Sequence, residues 1–149
     1  MERRLWNDLR GGKSNAEILS ELRPIQNADL SVAPFYLEEA ARSSWQWGMT
    51  IDDQWIAGMA IVPGDRPGTG WFSGYTGLAL RSFWQIRPMY PIFLDLLRLG
   101  PYHELRAWVH WQDPVDEPFA KAFGFRLDCG PASAFSPAGH DMGLWLWRR

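Results

Sequence analysis

Gly70-Trp-Phe-Ser-Gly-Tyr-Thr76 opens the stretch around which this chain is arranged, and Phe119-Ala-Lys-Ala-Phe-Gly-Phe125 closes it. The opening seven residues read as a strand. From Leu80 to Leu99, Phe83, Ile86, Tyr90, Phe93 and Leu97 recur at spacings of 3, 4, 3 and 4, which is one face of a helix. Gly100-Pro101 is a turn. In Glu104-Leu-Arg-Ala-Trp-Val-His-Trp111, Leu105, Ala107, Val109 and Trp111 alternate with Arg106, Trp108 and His110, the pattern of a second strand with Trp108 facing away from the apolar set. Gly124 stands where a helix C-terminal glycine belongs. Strand, helix, strand in this order makes a crossover and hence a parallel strand pair. Pro88 and Pro91 each remove a backbone donor, so the long helix is expected to break between Gln85 and Pro91.

Outward from this stretch, Trp45–Thr50 and Gln54–Val62 read as a hairpin turning at Ile51-Asp52-Asp53, with Gly58 marking a bulge or a close backbone approach. Glu21–Ile25 reads as a first strand, and Leu30–Arg42 as a helix with a disturbance at Pro34. Residues 1–20 read as an N-terminal extension, in which Ser14 and Glu17 have the spacing of a capping box. Gly-Lys-Ser at 12–14 is no phosphate loop, because the glycine that motif needs five residues earlier is Asn7. The tail gives a strand to about Asp128, a loop, and a last strand over Met142–Trp147. A single domain over 1–149 follows from the length.

Fifteen basic and seventeen acidic residues leave net −2, so no overall field draws the chain to nucleic acid. Cys129 is the one cysteine and has no disulfide partner, the histidines have no metal-ligand spacing, and no run is long and apolar enough to span a membrane. Met-Glu-Arg-Arg-Leu-Trp at the start lacks the apolar stretch of a secretory signal. Ten tryptophans exceed what one small interior readily encloses, so an exposed tryptophan surface is expected, with at least one of Trp47, Trp108 and Trp147 outward and touching a partner protein.

The strand-helix-strand-helix order, with Ala-Phe-Gly-Phe-Arg at 122–126, resembles the second half of the GCN5-related N-acetyltransferase (GNAT) fold. Trp71-Phe72, Arg81-Ser-Phe-Trp-Gln-Ile-Arg87, Ala107-Trp-Val-His110 and Phe119–Phe125 are similar to the small internal virion protein A family of T7-like phages, itself GNAT-like. The resemblance implies an α+β fold, a GNAT-like mixed twisted sheet with helices on both faces. It also implies a place in the virion or the host cytoplasm, and a phage or host protein as partner. For an active member the cofactor is acetyl-CoA, and the reaction is transfer of its acyl group to an amine.

GNAT enzymes hold the pyrophosphate of acetyl-CoA on backbone N–H groups after the fourth strand, in the pattern Arg or Gln, two residues, Gly, one residue, Gly or Ala. The matching stretch is Gly77-Leu-Ala-Leu-Arg-Ser-Phe83, which makes Thr76, Leu78 and Arg81 the candidate cofactor contacts; no glycine occurs from Leu78 to Leu99. The family's general-acid tyrosine, four residues before the last helix's glycine, falls on Ala120, which has no proton to give. The asparagine eleven residues before that glycine falls on Asp113. His110, at the C-terminal end of its strand, is the substitute base; Tyr75 and Asp113 complete the catalytic candidates. Glu38-Glu39 and Asp52-Asp53 are acids of a type that recognises an amine. Two expectations result: a degenerate, non-catalytic GNAT-like protein acting in virion assembly, or an active acetyl-CoA-dependent N-acyltransferase.

Overall fold

The computed structural model describes residues 2–5, 11–21, 37–38, 41–43, 45–77, 79–136 and 138–149. Its described strands are β1 (Glu2–Leu5), β2 (Trp45–Ile51), β3 (Gln54–Pro63), β4 (Thr69–Thr76), β5 (Glu104–His110), β6 (Arg126–Ala132) and β7 (Met142–Arg148). They form one seven-stranded sheet in the order β1-β2-β3-β4-β5-β7-β6. Every neighbouring pair is antiparallel except β4 and β5, which run parallel. The helices described over their length are α1 (Asn15–Glu21), α2 (Met89–Leu99) and α3 (Asp116–Ala122), with a 3₁₀ turn over Phe83–Ile86. This is the α+β mixed sheet expected from the sequence.

Within residues 1–20, Glu2–Leu5 pair with Thr50–Trp47 as an edge strand, and α1 begins at Asn15. Glu21 ends that helix rather than opening a strand; the rest of the expected strand, 22–25, lies outside the described residues, as does most of 30–42. A four-residue strand carries too little alternation to be told from an amphipathic turn, and only its register against β2 identifies it. The capping box at α1 forms as expected: Ser14 N–H donates to Glu17 Oε2 at 2.6 Å and Glu17 N–H to Ser14 Oγ at 3.3 Å.

The β2–β3 hairpin closes on Asp52 and Asp53, with φ of 49° and 61°, the two left-handed residues of a type I′ turn. Gly58 itself stays in register opposite Gly48; the bulge falls at Ile56, between Ala57 and Trp55, and what approaches Gly58 is a side chain, the Trp55 Cζ2 lying 2.6 Å from where a Cβ would stand. The long helix breaks at Arg87-Pro88, giving the 3₁₀ turn and then α2, whose first turn tolerates Pro91 because its N–H groups have no helical partner. The break resets the helical phase. The buried stripe is therefore Met89, Ile92, Phe93 and Leu97, and Tyr90, expected inside, is 40% exposed. At the end of α3, Gly124 adopts φ 85°, its N–H donates to Lys121 O and Phe125 N–H donates to Ala120 O. That is the two-bond glycine ending.

Phe72 of β4 meets Phe93 of α2 edge-on at 5.4 Å, and Phe123 and Phe125 at 6.2 and 5.2 Å. Leu105, Ala107, Val109 and Trp145 join this cluster, so α2 and α3 cover one face of the sheet. Ile18, Leu37, Trp55, Ala60 and Met142 are buried outside it. Trp108, Arg106 and His110 face away from α2, as their alternation requires. Among the described residues no helix is long and apolar enough to cross a membrane.

The parallel seam is short: only Thr69–Trp71 pair with Glu104–Arg106. Gly68 O accepts from His103 N–H and Glu104 N–H. The Glu104 carboxylate takes Arg106 Nε and Arg148 Nε, each at 3.1 Å, with Arg66 at 3.6 Å. Burial pushes this carboxyl up, but the hydrogen bonds and charges of Arg148 and Arg106 outweigh it and hold it below the usual glutamate value. Stability from a carboxyl lowered on folding is complete above its unfolded pKa, about 4.3, and is lost as pH falls through the lower folded value. Glu104→Gln should therefore cost about 2 kcal/mol at pH 7 and flatten the acid-side loss of stability. Urea midpoints of both proteins from pH 7 down to pH 3 measure this, and parallel curves would contradict it.

Candidate cofactor cleft

Beyond Trp71 and Arg106 the two parallel strands part. Phe72–Thr76 of β4 keep pairing with β3, while Ala107–His110 of β5 pair with β7. The sheet thus opens in a V at the C-terminal ends of β4 and β5, where open sheets place ligands. Gly77 ends the β4 side. Its N–H donates to Ile56 O at 2.9 Å, and a Cβ there would lie 1.9 Å from Trp55 O, so only glycine fits this approach.

After Gly77 the chain turns into the 3₁₀ segment, in which the N–H groups of Leu80, Arg81, Ser82, Trp84 and Gln85 are engaged. Gln85 Oε1 accepts from Arg81 N–H at 2.6 Å and from Ser82 N–H at 3.2 Å. Ser82 Oγ accepts from Trp84 N–H, and Ser82 O from Gln85 N–H. The side-chain oxygen of Gln85 thus already takes the Arg81 and Ser82 N–H groups. With that oxygen in place and no glycine to bring the backbone closer, these residues as they stand do not fit a pyrophosphate. The capping box is legible as Ser82-Phe-Trp-Gln85, a signal the sequence reading passed over.

The cofactor candidates divide accordingly. Thr76 is half-buried on the α2 face, and its Oγ1 is enclosed without a hydrogen-bond partner among the described residues. Arg81 is exposed at the start of the turn. Leu78 lies outside the described residues.

The catalytic candidates are not gathered into one site. His110 lies on the face opposite Thr76, at the end of β5, with Nδ1 2.7 Å from Asp116 Oδ2. An ionised Asp116 only accepts, so Nδ1 carries the proton and Nε2 is the basic nitrogen. The His140 ring meets His110 edge-on at 5.6 Å. Asp113 is buried and committed to the start of α3, its Oδ1 accepting from Val115 N–H and Asp116 N–H at 2.8 Å each. Tyr75 sits in β4 opposite Gly58. Ala120, on which the resemblance would place an acid, is buried in the core. Asp116 and His140 escaped the sequence reading. A left-handed residue at Gln112, φ 56°, folds Asp116 back onto His110, and His140 arrives from the β6–β7 loop; neither return has a sequence signature. Asp52 and Asp53 form the exposed hairpin turn. Among the described residues no three His, Cys, Asp or Glu side chains could hold a metal.

The tryptophans differ from expectation. Trp47, Trp108 and Trp147 are each half-buried, Trp47 and Trp147 against the core and Trp108 between Trp71 at 6.3 Å and Phe135 at 4.2 Å. The outward tryptophan is Trp84, 74% exposed, with Arg87 over its ring at 5.3 Å. It lies on the short 3₁₀ turn, which has no inner side long enough to take it in.

Solved N-acetyltransferases share this architecture. The ribosomal-protein-alanine N-acetyltransferase of Brucella melitensis aligns over 100% of both chains at 17% identity and TM-score 0.68. A GNAT-family acetyltransferase of Streptococcus pneumoniae covers 99% of this chain and 98% of its own at 11% identity and TM-score 0.69. YncA of Salmonella typhimurium, with its cofactor acetyl-CoA, covers 99% of this chain and 92% of its own at 12% identity and TM-score 0.65. No protein-family model and no curated protein matches the sequence. At these identities the likeness is one of fold.

Gln85→Ala tests the closed turn. It should cost about 1 kcal/mol, the worth of an exposed capping contact, seen as a lower urea midpoint with unchanged slope. No loss of stability would mean that Gln85 does not hold the turn.

Proposed function

We propose that this chain is a GNAT-fold protein whose cofactor cradle has closed, and that it acts by contact with other proteins rather than by acyl transfer. The observation that carries this reading is the Gln85 side chain, which accepts the Arg81 and Ser82 N–H groups in a turn without glycine. Ala120, in place of a proton donor, supports it. Further support for a phage protein of the virion, working in assembly, comes from the similarity of Arg81–Arg87 and Ala107–His110 to the small internal virion proteins. Trp84 is the contact residue this reading favours, since an exposed aromatic beside a guanidinium is the composition of an interface anchor.

A second reading, an N-acyltransferase with altered cofactor contacts, has one observation of its own. The β4–β5 opening is retained, and the enclosed Thr76 hydroxyl at its edge lacks a partner among the described residues.

Calorimetry with acetyl-CoA separates the two. A closed cradle gives no affinity tighter than millimolar, about −4 kcal/mol. A micromolar dissociation constant, with the coenzyme phosphates ordered against 78–82, would establish the second reading instead. The virion assignment has its own check: the chain should co-sediment with purified particles, and remaining wholly in the free fraction would refute it. In reconstituted particles, Trp84→Ala should weaken incorporation by about 2 kcal/mol with the unfolding midpoint unchanged.

A further inference from the structure

At the far end of the strands from the cleft, three arginines converge on one carboxylate. We propose that Arg66, Arg106 and Arg148 form a binding site for a phosphate dianion, held in position by Glu104. Three guanidiniums and one carboxylate leave +3 − 1 = +2 at this point of a chain whose total is −2.

The manner of attachment matters more than the sum. Arg106 and Arg148 both reach Glu104 through Nε, each at 3.1 Å, so neither uses its terminal amino groups on the carboxylate. Those amino groups make no other hydrogen bond among the described residues. A guanidinium held from the side presents its remaining N–H donors as a fork, the geometry that takes two oxygens of a phosphate. Arg66 stands 3.6 Å from Glu104, too far for a hydrogen bond, and its side chain is 61% exposed. As an ion pair it gains little there. It adds like charge to a cluster that Glu104 has already filled, an arrangement an incoming dianion would relieve.

Rigidity comes from the surroundings. The Glu104 side chain is only 11% exposed, and Arg106 lies over the Trp71 ring at 5.8 Å. Arg66 belongs to the tight β3–β4 turn, its carbonyl accepting from both Thr69 N–H and Thr69 Oγ1. The exposed Asp65 beside it makes no ion pair among the described residues. The charge selects the ligand class. A carboxylate would neutralise half of +2, whereas a phosphomonoester carries close to −2 at pH 7. The cluster sits at the Thr69 end of β4 and the cleft beyond Thr76, roughly 23 Å apart at strand rise, so it is separate from the turn discussed above. It does not depend on whether that turn binds acetyl-CoA.

The test is calorimetry of the full chain at pH 7.5 and low ionic strength with inorganic phosphate, glycerol phosphate and acetate. Phosphate should bind saturably and about tenfold or more tighter than acetate. Binding of inorganic phosphate alone assigns the site to the free ion, and binding of both phosphates assigns it to a phosphomonoester. Arg66→Ala and Arg148→Ala, both at exposed side chains, should each weaken it at least about fivefold, while Arg87→Ala, outside the cluster, leaves it unchanged. Phosphate binding no tighter than acetate, or indifferent to Arg66 and Arg148, overturns the assignment. In that case the arginines serve Glu104 alone.

Discussion

The three-residue parallel seam between β4 and β5 is the constraint from which the rest of the structure follows. Among the described strands it is the ladder that joins the antiparallel β1–β4 half to the β5–β7–β6 half. Gly68 O anchors its start, and Glu104 ties β5 to β7 and to the turn before β4. A parallel pair needs a long crossover, supplied here by the 3₁₀ turn and α2, and the aromatic cluster of Phe72, Phe93, Phe123 and Phe125 presses that crossover onto the seam. Because strand twist carries the two halves apart past the seam, the cleft is a consequence of the fold and needs no ligand to open it.

Fold and chemistry are separable for the same reason. The core is made chiefly by the α2 and α3 faces and by inward strand positions; the turn after Gly77 adds Leu80 and Ile86, while Ser82 and Gln85 lie outside it. The Ser82–Gln85 capping box satisfies N–H groups of that turn from within it. Ala120, where the resemblance places an acid, packs in the core.

The opposite face carries a different character. Trp71, Trp108 and Phe135 form a continuous aromatic stack, with Arg106 at one end, and His110 follows Trp108 on the same face of β5 toward His140 and Asp116. These side chains come from four separate stretches of chain, and β5 alternation brings them together by sending Arg106, Trp108 and His110 outward from the α2 core. Surplus tryptophans are thereby absorbed within the molecule, and Trp84 alone among those described is fully outward.

The sequence by itself determined the elements whose signals are local. The alternation of Leu105, Ala107 and Val109 fixed β5 and the face of Trp108; a hairpin turn near Asp52-Asp53, the glycine ending at Gly124 and the break at Pro88 followed from backbone chemistry within a few residues. Order of elements was enough to infer the parallel pair and the fold class. Tertiary structure alone decided what depends on distant chain returning. It made a sheet strand of Glu2–Leu5, turned Tyr90 outward once Pro88 had shifted the helical phase, and set Asp116 and His140 on His110. It also gathered Arg66, Arg106 and Arg148 on Glu104 from positions that no spacing relates. Periodicity reports which way a residue faces within its own element. Which charge or ring it faces is set by register between elements, and register is a property of the packed sheet.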